Sequence, residues 1–321
     1  FKLAKSEYFK SIQSQIIKNC KVLAGQFQSR GIRIAFGGSD THLLNLDCKS
    51  IIGSDGTTLS GDMAARLLDI AGIVVNANTL PGDKLTAHAS GIRLGTPWLS
   101  QRGLVESDMV QIADIISDLL KATEPYTVAS SGKSQTRVKT SFDVLENAKI
   151  RIRSIVERND SFNELGKSVY PFFSFSDDHM TEGKNKLITF TLTGEKIRQV
   201  INYLLPIQIE TMDAKSSFQT SIFINGKEEE CVFSILDEHT FQLGFKPTIA
   251  GKAAAWLRDL SDGYIYFDKD LERSIPGPFL VMESESEIEI QSILKNKVSD
   301  KPFFVGITKV KGSVQKQTLP F

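Results

Sequence analysis

The segment that most constrains the fold is a short extended piece with a glycine near each end, Ser90-Gly91-Ile92-Arg93-Leu94-Gly95-Thr96-Pro97. Side chains alternate along a strand, so Ile92 and Leu94 are predicted to lie on one face and Arg93 on the other. Glycine lets another group approach the backbone closely. The segment therefore predicts a strand from which Arg93 projects away from the core.

Arg93 has two interpretations when only its sequence context is considered. A planar guanidinium can hold a carboxylate through two parallel hydrogen bonds. An arginine on an edge strand can also form an ordinary surface ion pair, and spacing alone favours this second interpretation. Both interpretations stay open at this point.

Helical and strand patterns alternate over roughly the first third of the chain, which predicts an α/β layout. The predicted helices cover residues 8–28, 63–71 and 106–120, with Ser60 as a cap of the second. The predicted strands cover residues 32–36, 43–46 and 73–75, and the last of these is apolar enough to be buried.

The pattern of residue types changes after this region. Residues 122–140 lose periodicity and gain Ser, Thr and Gly, which predicts a linker or mobile loop before a helix that starts at Phe142. An α+β module is predicted from residue 170 onward. Its predicted elements are strands 187–192 and 240–245, helices 196–205 and 249–260, and a hairpin over 217–236 with Asn225-Gly226 at its turn.

The amino-acid composition limits the classes of partner expected for this chain. The 321 residues include 38 basic and 38 acidic side chains, so charge gives no case for a nucleic acid or membrane partner. The cysteines, Cys20, Cys48 and Cys231, are too scattered for a disulfide framework or a metal cluster and are predicted to be reduced and packed. No apolar run approaches the roughly 20 residues that span a bilayer, and a cytoplasmic protein is expected.

The first part of the chain contains several distinctive blocks: Gly37-Gly38-Ser39-Asp40-Thr41-His42-Leu43-Leu44, Ala71-Gly72-Ile73-Val74-Val75-Asn76-Ala77-Asn78, Pro81, Asp83 and residues 90–97. Their joint occurrence is more specific than any one of them. By the order and spacing of these blocks, residues 1–125 resemble the C-terminal domain of serine hydroxymethyltransferase. The resemblance implies the α/β small domain of a fold-type I pyridoxal phosphate enzyme.

The resemblance also implies roles for individual residues. Arg93 takes the position of the family arginine that binds the carboxylate of glycine or serine. Asn78 takes a position that helps to contact tetrahydrofolate. Leu85, Thr86 and Ala87 stand where the family usually has a Ser-Pro-Phe-like segment, in a loop that is one residue shorter here, and they complete the implied folate contact.

The pyridoxal phosphate lysine of the family lies in a Thr-His-Lys motif, and this motif does not occur in the sequence. The chain also starts at Phe1 without an initiator methionine, which is typical of a piece of a longer polypeptide. We therefore expect no catalytic residue and no metal ligand within these residues. Pyridoxal phosphate is expected to be held mainly by an upstream domain, and this piece alone is expected to be inactive.

Residues 169–321 resemble an incomplete N-terminal part of the aminomethyltransferase, or T-protein, of the glycine cleavage system. The resemblance rests on Leu192-Thr193-Gly194-Glu195-Lys196, the following helix, the hairpin and Lys301-Pro302-Phe303-Phe304-Val305-Gly306. It implies a folate-binding α+β domain in which Glu229 or Glu230 stands in place of a family aspartate. A longer side chain places its carboxylate differently, so aminomethyl transfer is not expected. Adjacent acids on a hairpin also suit a solvated strand end.

The two resemblances together imply the C-terminal portion of a hydroxymethyltransferase, an enzyme that interconverts serine and glycine while tetrahydrofolate receives the one-carbon unit. Residues 126–168 would then connect the two regions as a linker and helix, and the hydroxymethyltransferase part would form a homodimer by resemblance to the family. A different hypothesis is a non-catalytic folate-binding or docking module in the T-protein-like part. A catalytically dead remnant is a third possibility.

Overall fold

The computed structural model describes residues 2–85, 88–130, 133–158, 187–206, 209, 217–267, 270 and 272–284. The chain divides into two compact units, Phe1–Phe172 and Phe173–Phe321, and each is described by itself. In the described residues, each unit combines helices with antiparallel sheets, so the fold is mixed α/β. The domain limits at residues 125 and 168 stay predictions.

Helices form much of the first unit. In its described part they are α1 (Glu7–Ser29), α2 (Gly61–Ile70), α3 (Pro97–Gln101), α4 (Glu106–Lys121) and α5 (Phe142–Arg158). Helix α1 packs against α4, and α4 also packs against α5. The spacing that predicted α1 and α4 is confirmed, because their apolar residues, such as Leu23 and Ile116, are buried.

Serine caps fix the first turns of two helices. Ser6 Oγ accepts a hydrogen bond of 3.1 Å from the Phe9 N–H, and Ser60 Oγ accepts one of 3.2 Å from the Met63 N–H. Each bond satisfies one of the N–H groups that a helix leaves without an intrahelical partner. The cap predicted at Ser60 is confirmed.

A small antiparallel sheet lies in the first unit. Its strands are β1 (Leu43–Asp47), β2 (Asn76–Asn78) and β3 (Gly91–Gly95). Strand β3 is central, with β1 on one side and β2 on the other. Ile92 and Leu94 of β3 are buried opposite Leu46 and Leu44 of β1. The strands predicted at residues 43–46 and within 90–97 are confirmed.

The strand predicted over residues 32–36 is wrong. This stretch contributes one isolated bridge, between Ile34 and Leu46, and then turns. Phe36 has φ 64° and Gly37 has φ 75°, which are left-handed backbone conformations that a strand cannot contain. The apolar run therefore supplies a buried Ile34 side chain but no ladder.

The buried strand predicted over residues 73–75 is also wrong. These residues lie outside any strand, and Val74 is 84% exposed. Pairing with β3 begins only at Asn76, which lies opposite Arg93. An apolar run is buried as a strand only where partner strands and a packed layer cover it. Here the pairing with β3 begins one residue after the run, so the run has no partner strand on β3.

The linker or mobile loop predicted over residues 122–140 is instead a β-hairpin. Strands β4 (Glu124–Ser130) and β5 (Lys133–Lys139) pair from Glu124 opposite Lys139 to Ser130 opposite Lys133. Tyr126 and Val138 are buried on this hairpin. Ser and Thr made the segment resemble a loop, but β-branched Thr and Val fit a pleated, half-buried surface.

The second unit contains one larger antiparallel sheet with helices. Its described elements are β6 (Ile188–Thr193), α6 (Ile197–Leu204), β7 (Ser217–Ile224), β8 (Lys227–Ile235), β9 (Thr240–Phe245), α7 (Pro247–Asp262) and β10 (Leu280–Ser284). The strand order is β10-β6-β9-β8-β7, and α7 contacts β6, β7, β9 and β10. Buried aromatic residues form much of the core, and the rings of Phe233 and Phe241 stack at 5.7 Å between centroids.

The turn between β7 and β8 follows directly from its sequence. Asn225 has φ 48° and Gly226 has φ 79°, as a two-residue type I′ turn requires. Few residues other than Asn, Asp and Gly tolerate positive φ, so this dipeptide fixes both the turn and the register of the two strands. The predicted hairpin is confirmed.

The cysteines of the chain are free and buried. Burial raises the pKa of the Cys48 thiol to about 12, with the nearby Asp47 charge acting in the same direction. Such thiols are packed side chains rather than nucleophiles. None of the helices in the described ranges has both the length and the apolar character to cross a bilayer.

Gly91 and Gly95 provide a matched test of close packing in β3. A Cβ at Gly91 would lie 2.8 Å from the Leu46 carbonyl oxygen and from Leu80 Cγ, whereas one at Gly95 would come no nearer than 3.6 Å to Pro97 Cδ. We expect Gly91→Ala to lower the free energy of unfolding by about 1–3 kcal/mol, because the sheet must shift. Gly95→Ala should change it by less than about 0.5 kcal/mol. Denaturant unfolding measures both, and equal effects would contradict the packing argument.

Candidate functional site

Arg93 lies in the middle of the central strand of the first sheet. Its cross-strand neighbours are Asn45 on β1 and Asn76 on β2. Residues directly opposite each other on paired strands project to the same face, with Cβ atoms about 4.5–5.5 Å apart. We call these three residues the Arg93 row. The row places one guanidinium between two amides.

The predicted orientation of Arg93 is confirmed. Ile92 and Leu94 are 0% and 7% exposed, while Arg93 between them is exposed on the opposite face. Within the described residues, Arg93 forms no ion pair and no side-chain hydrogen bond. Its guanidinium therefore keeps all its donors for a ligand, and the ordinary surface ion pair of the second interpretation is not formed there.

Other charged groups in this unit contrast with Arg93. Arg33 Nη2 lies 2.6 Å from Asp47 Oδ2, and Arg66 Nε lies 3.2 Å from Asp62 Oδ2. An exposed guanidinium between two neutral amides is suited to a carboxylate from outside the sheet.

The amides of the Arg93 row differ from each other. Asn76 is exposed. Asn45 is only partly exposed, and its Oδ1 is buried without a hydrogen-bond partner in the part of the chain that the structure describes. A buried carbonyl oxygen of this kind costs free energy unless a donor reaches it. The sequence reasoning missed Asn45, although a polar residue between Leu44 and Leu46 was a signal of its outward orientation.

Asp83 closes the loop that joins β2 to β3. Its Oδ2 accepts hydrogen bonds from the Leu80 N–H at 2.9 Å, the Ser90 N–H at 2.9 Å and the Ser90 hydroxyl at 2.8 Å. Lys49 Nζ lies 3.6 Å from Asp83 Oδ1. Burial raises the pKa of this carboxyl, but the hydrogen bonds and the lysine outweigh burial and lower the pKa to about 2. The charged carboxylate therefore fixes both ends of the loop.

The residues with an implied folate contact lie on or next to this loop. Asn78 is opposite Gly91 on the ladder, and its Nδ2 donates to the Thr79 carbonyl at 3.0 Å. Leu85 is 61% exposed. Thr86 and Ala87 lie outside the described residues. Asn78 thus lies two ladder positions from the Arg93 row, while Leu85 is exposed to solvent.

The structure does not bring Glu229 and Glu230 together as a carboxylate pair. They are successive residues of β8, opposite Ile222 and Ser221 of β7, so their side chains project to opposite faces of the sheet. Glu230 Oε2 lies 3.2 Å from Lys246 Nζ, and both side chains are exposed. Their folate role stays a prediction.

Asp83 gives a pH-dependent test of the loop. Its folded pKa is lowered to about 2, so its charge stabilises the fold fully above the unfolded pKa of about 4 and loses that effect as the pH falls toward 2. We expect Asp83→Ala to lower the free energy of unfolding by about 1–3 kcal/mol near neutral pH, because buried N–H donors lose their acceptor. The difference from wild type should shrink between about pH 4 and pH 2.

The control for this experiment is Asp62→Ala, which removes an exposed carboxylate that pairs with Arg66. It should change the free energy of unfolding by less than about 1 kcal/mol. Denaturant unfolding across this pH range measures both variants. A constant effect of Asp83→Ala between pH 7 and pH 2 would show that the charge does not hold the loop.

Part of the chain is similar in sequence to known proteins. Residues 1–116 match the sequence profile of the family described as "Serine hydroxymethyltransferase". "Serine hydroxymethyltransferase 3, chloroplastic" from Arabidopsis thaliana is 35% identical over 162 residues, which are 50% of this chain and 30% of the plant protein. "Serine hydroxymethyltransferase" from Mycoplasma mycoides subsp. mycoides is 36% identical over 147 residues, 46% of this chain and 34% of the bacterial protein.

The chain thus spans about a third of the length of the curated relatives that it matches. The matched family region contains β1, β2, β3 and every member of the Arg93 row. The resemblance of residues 169–321 to the T-protein stays a prediction. Residues 1–116 of this chain thus match the serine hydroxymethyltransferase family.

Proposed function

We propose that this chain supplies the substrate-carboxylate site of a glycine/serine hydroxymethyltransferase, which interconverts serine and glycine with transfer of a one-carbon unit to tetrahydrofolate. The observation that carries the proposal is the exposed guanidinium of Arg93 on the face opposite the core, without an acidic partner in the described residues. The family match over residues 1–116 supports it.

Arg93 would bind the α-carboxylate of serine or glycine through two parallel N–H···O bonds. A guanidinium suits this role because its donors form a planar fork that matches a carboxylate. The amides beside Arg93 are neutral, so they do not compete with the substrate for its charge. The site thereby fixes one end of the amino acid and leaves its other groups free to react elsewhere.

Serine hydroxymethyltransferases use pyridoxal phosphate, which supplies the electron sink for chemistry at the α-carbon of the amino acid. The Arg93 row does not fit that cofactor, since its side chains are one guanidinium and two amides and none is an amine. Lys49, which follows β1, lies 3.6 Å from Asp83. We therefore propose no cofactor-binding role for the Arg93 row and derive no step through the cofactor.

Tetrahydrofolate would contact the loop between β2 and β3. Asn78 lies two ladder pairs from Arg93, opposite Gly91, and Leu85 is exposed on the loop that Asp83 closes. A folate ring next to the substrate carboxylate would lie close to the carbon that it receives. Thr86 and Ala87 complete this proposal from the resemblance alone.

The proposal predicts a large effect of Arg93 on serine. In the full-length protein, Arg93→Ala should lower kcat/KM for serine by about 10- to 150-fold, since a lost charged hydrogen-bond pair is worth about 1.5–3 kcal/mol. Arg93→Lys should recover only part of the loss, because an ammonium cannot bind bidentately. Steady-state kinetics with serine as the varied substrate measures both variants.

The matched control is Arg66→Ala on α2, which removes an arginine that is similarly exposed but already paired with Asp62. It should leave the kinetics with serine unchanged. If Arg93→Ala also left serine affinity and turnover unchanged, the role proposed for Arg93 would be wrong.

A second candidate function belongs to the second unit: a non-catalytic folate-binding or docking module that resembles the T-protein. The opposed directions of Glu229 and Glu230 favour a binding role over aminomethyl transfer, because such chemistry needs a carboxylate held at a defined position. Both proposed functions involve one-carbon units on tetrahydrofolate, so one chain could combine them.

Calorimetric titration of tetrahydrofolate into the 321-residue chain distinguishes these candidates. The first predicts that Asn78→Ala weakens binding several-fold and that Glu229→Gln does not. The folate-binding module predicts the reverse pattern. Glu228→Gln is the control in the second unit, because Glu228 accepts a hydrogen bond from Ser221 at 2.7 Å at the exposed end of the same hairpin. If no variant changed the affinity, neither folate site would stand.

The cytoplasmic location remains a proposal from composition. The homodimer remains a proposal from the family resemblance, with the hydroxymethyltransferase part at the interface.

A further inference from the structure

We propose that Asn45 is a positioning residue for the substrate carboxylate, and that its Oδ1 accepts a hydrogen bond from the guanidinium of Arg93 when Arg93 binds the carboxylate. This inference rests on the proposed function of Arg93. It adds a residue from a different strand, about 50 positions away in the sequence, to the site.

The register of the sheet brings the two residues together. Asn45 lies directly opposite Arg93 on the antiparallel ladder between β1 and β3. The neighbours of Asn45 on β1, Leu44 and Leu46, are buried in the core, so Asn45 projects to the same outer face as Arg93. A cross-strand pair of this kind is within reach of a long side chain such as arginine.

The buried oxygen of Asn45 indicates what the pair does. Asn45 Oδ1 is inaccessible to solvent and has no hydrogen-bond partner among the described residues. Arg93, its cross-strand neighbour, has donors and likewise no partner there. A guanidinium has five N–H donors and a bidentate carboxylate uses two, so donors remain for a second acceptor.

A bond from Arg93 to Asn45 would orient the plane of the guanidinium. Arginine has several rotatable bonds, and ordering it on a ligand costs conformational entropy. An acceptor fixed in the sheet at one side of the guanidinium reduces that cost and sets the direction of the carboxylate. Being neutral, Asn45 can do this without neutralising Arg93, which an aspartate at the same position would do.

Asn76 provides an internal control, because it has the same side chain and lies opposite Arg93 on the other side. Unlike Asn45, it is exposed, so water can satisfy its amide. The positioning role is therefore assigned to Asn45 and not to Asn76. If any polar side chain beside Arg93 served equally well, Asn45 and Asn76 would contribute equally to carboxylate binding.

The experiment compares four variants of the full-length protein: Asn45→Leu, Asn45→Asp, Asn76→Leu and Arg93→Ala. For each variant, calorimetry measures the Kd for serine, steady-state kinetics measures turnover and thermal unfolding measures the Tm. Asn45→Leu should raise the Kd for serine by about five- to tenfold, the loss of roughly one net hydrogen bond, while kcat changes less than about twofold. Its Tm should not fall, because an apolar group of similar size replaces a buried unpaired oxygen. Asn76→Leu should leave the Kd within about twofold of wild type.

Asn45→Asp keeps the shape of the side chain and provides a second test, independent of the packing of leucine. Its carboxylate would pair with Arg93 and compete with serine, so the Kd should rise more than for Asn45→Leu. If Arg93→Ala weakens serine binding while both Asn45 variants bind serine as wild type does, the role of Asn45 is wrong and the Arg93 site stands. If Arg93→Ala does not weaken binding, the proposed function itself fails.

Discussion

The pairing of β3 with a strand on each side is the interaction on which the candidate site depends. The absence of a side chain at Gly91 lets the Leu46 carbonyl and Leu80 pack against the backbone of β3. The same register sets Arg93 between Asn45 and Asn76. Core and site are thus the two faces of one short strand, so a change that shifts β3 to repack the core also moves the guanidinium.

Two charged groups near the candidate site differ in their partners, and these are Asp83 and Arg93. Asp83 is ionised because hydrogen bonds and Lys49 surround its carboxylate, and it thereby closes a loop next to the site. Arg93 is charged without a protein partner in the described residues, and the oxygen of Asn45 beside it is buried and unpaired. A buried oxygen left unsatisfied in this way costs stability, and such a cost is expected where a ligand-binding arrangement completes the bonding.

In the second unit, the sheet and the hairpin follow from local sequence, whereas the function does not. Adjacent glutamates on β8 face opposite sides of the sheet, and one of them pairs with Lys246. This arrangement suits a solvated strand end, and it also leaves room for a binding role without transfer chemistry. The proposed link between the units is therefore metabolic, through tetrahydrofolate, and each unit is testable by itself.

The sequence by itself determined the features that depend on neighbouring residues. Helical periodicity identified α1 and α4, the Asn225-Gly226 dipeptide identified its turn, and alternation predicted the outward direction of Arg93. Only the tertiary structure decided that residues 122–140 form a hairpin, that residues 73–75 remain outside the sheet, and that Asn45 lies beside Arg93. The physical reason is that strand register and burial depend on partners far away in sequence, whereas turns and helix faces are set by residues a few positions apart.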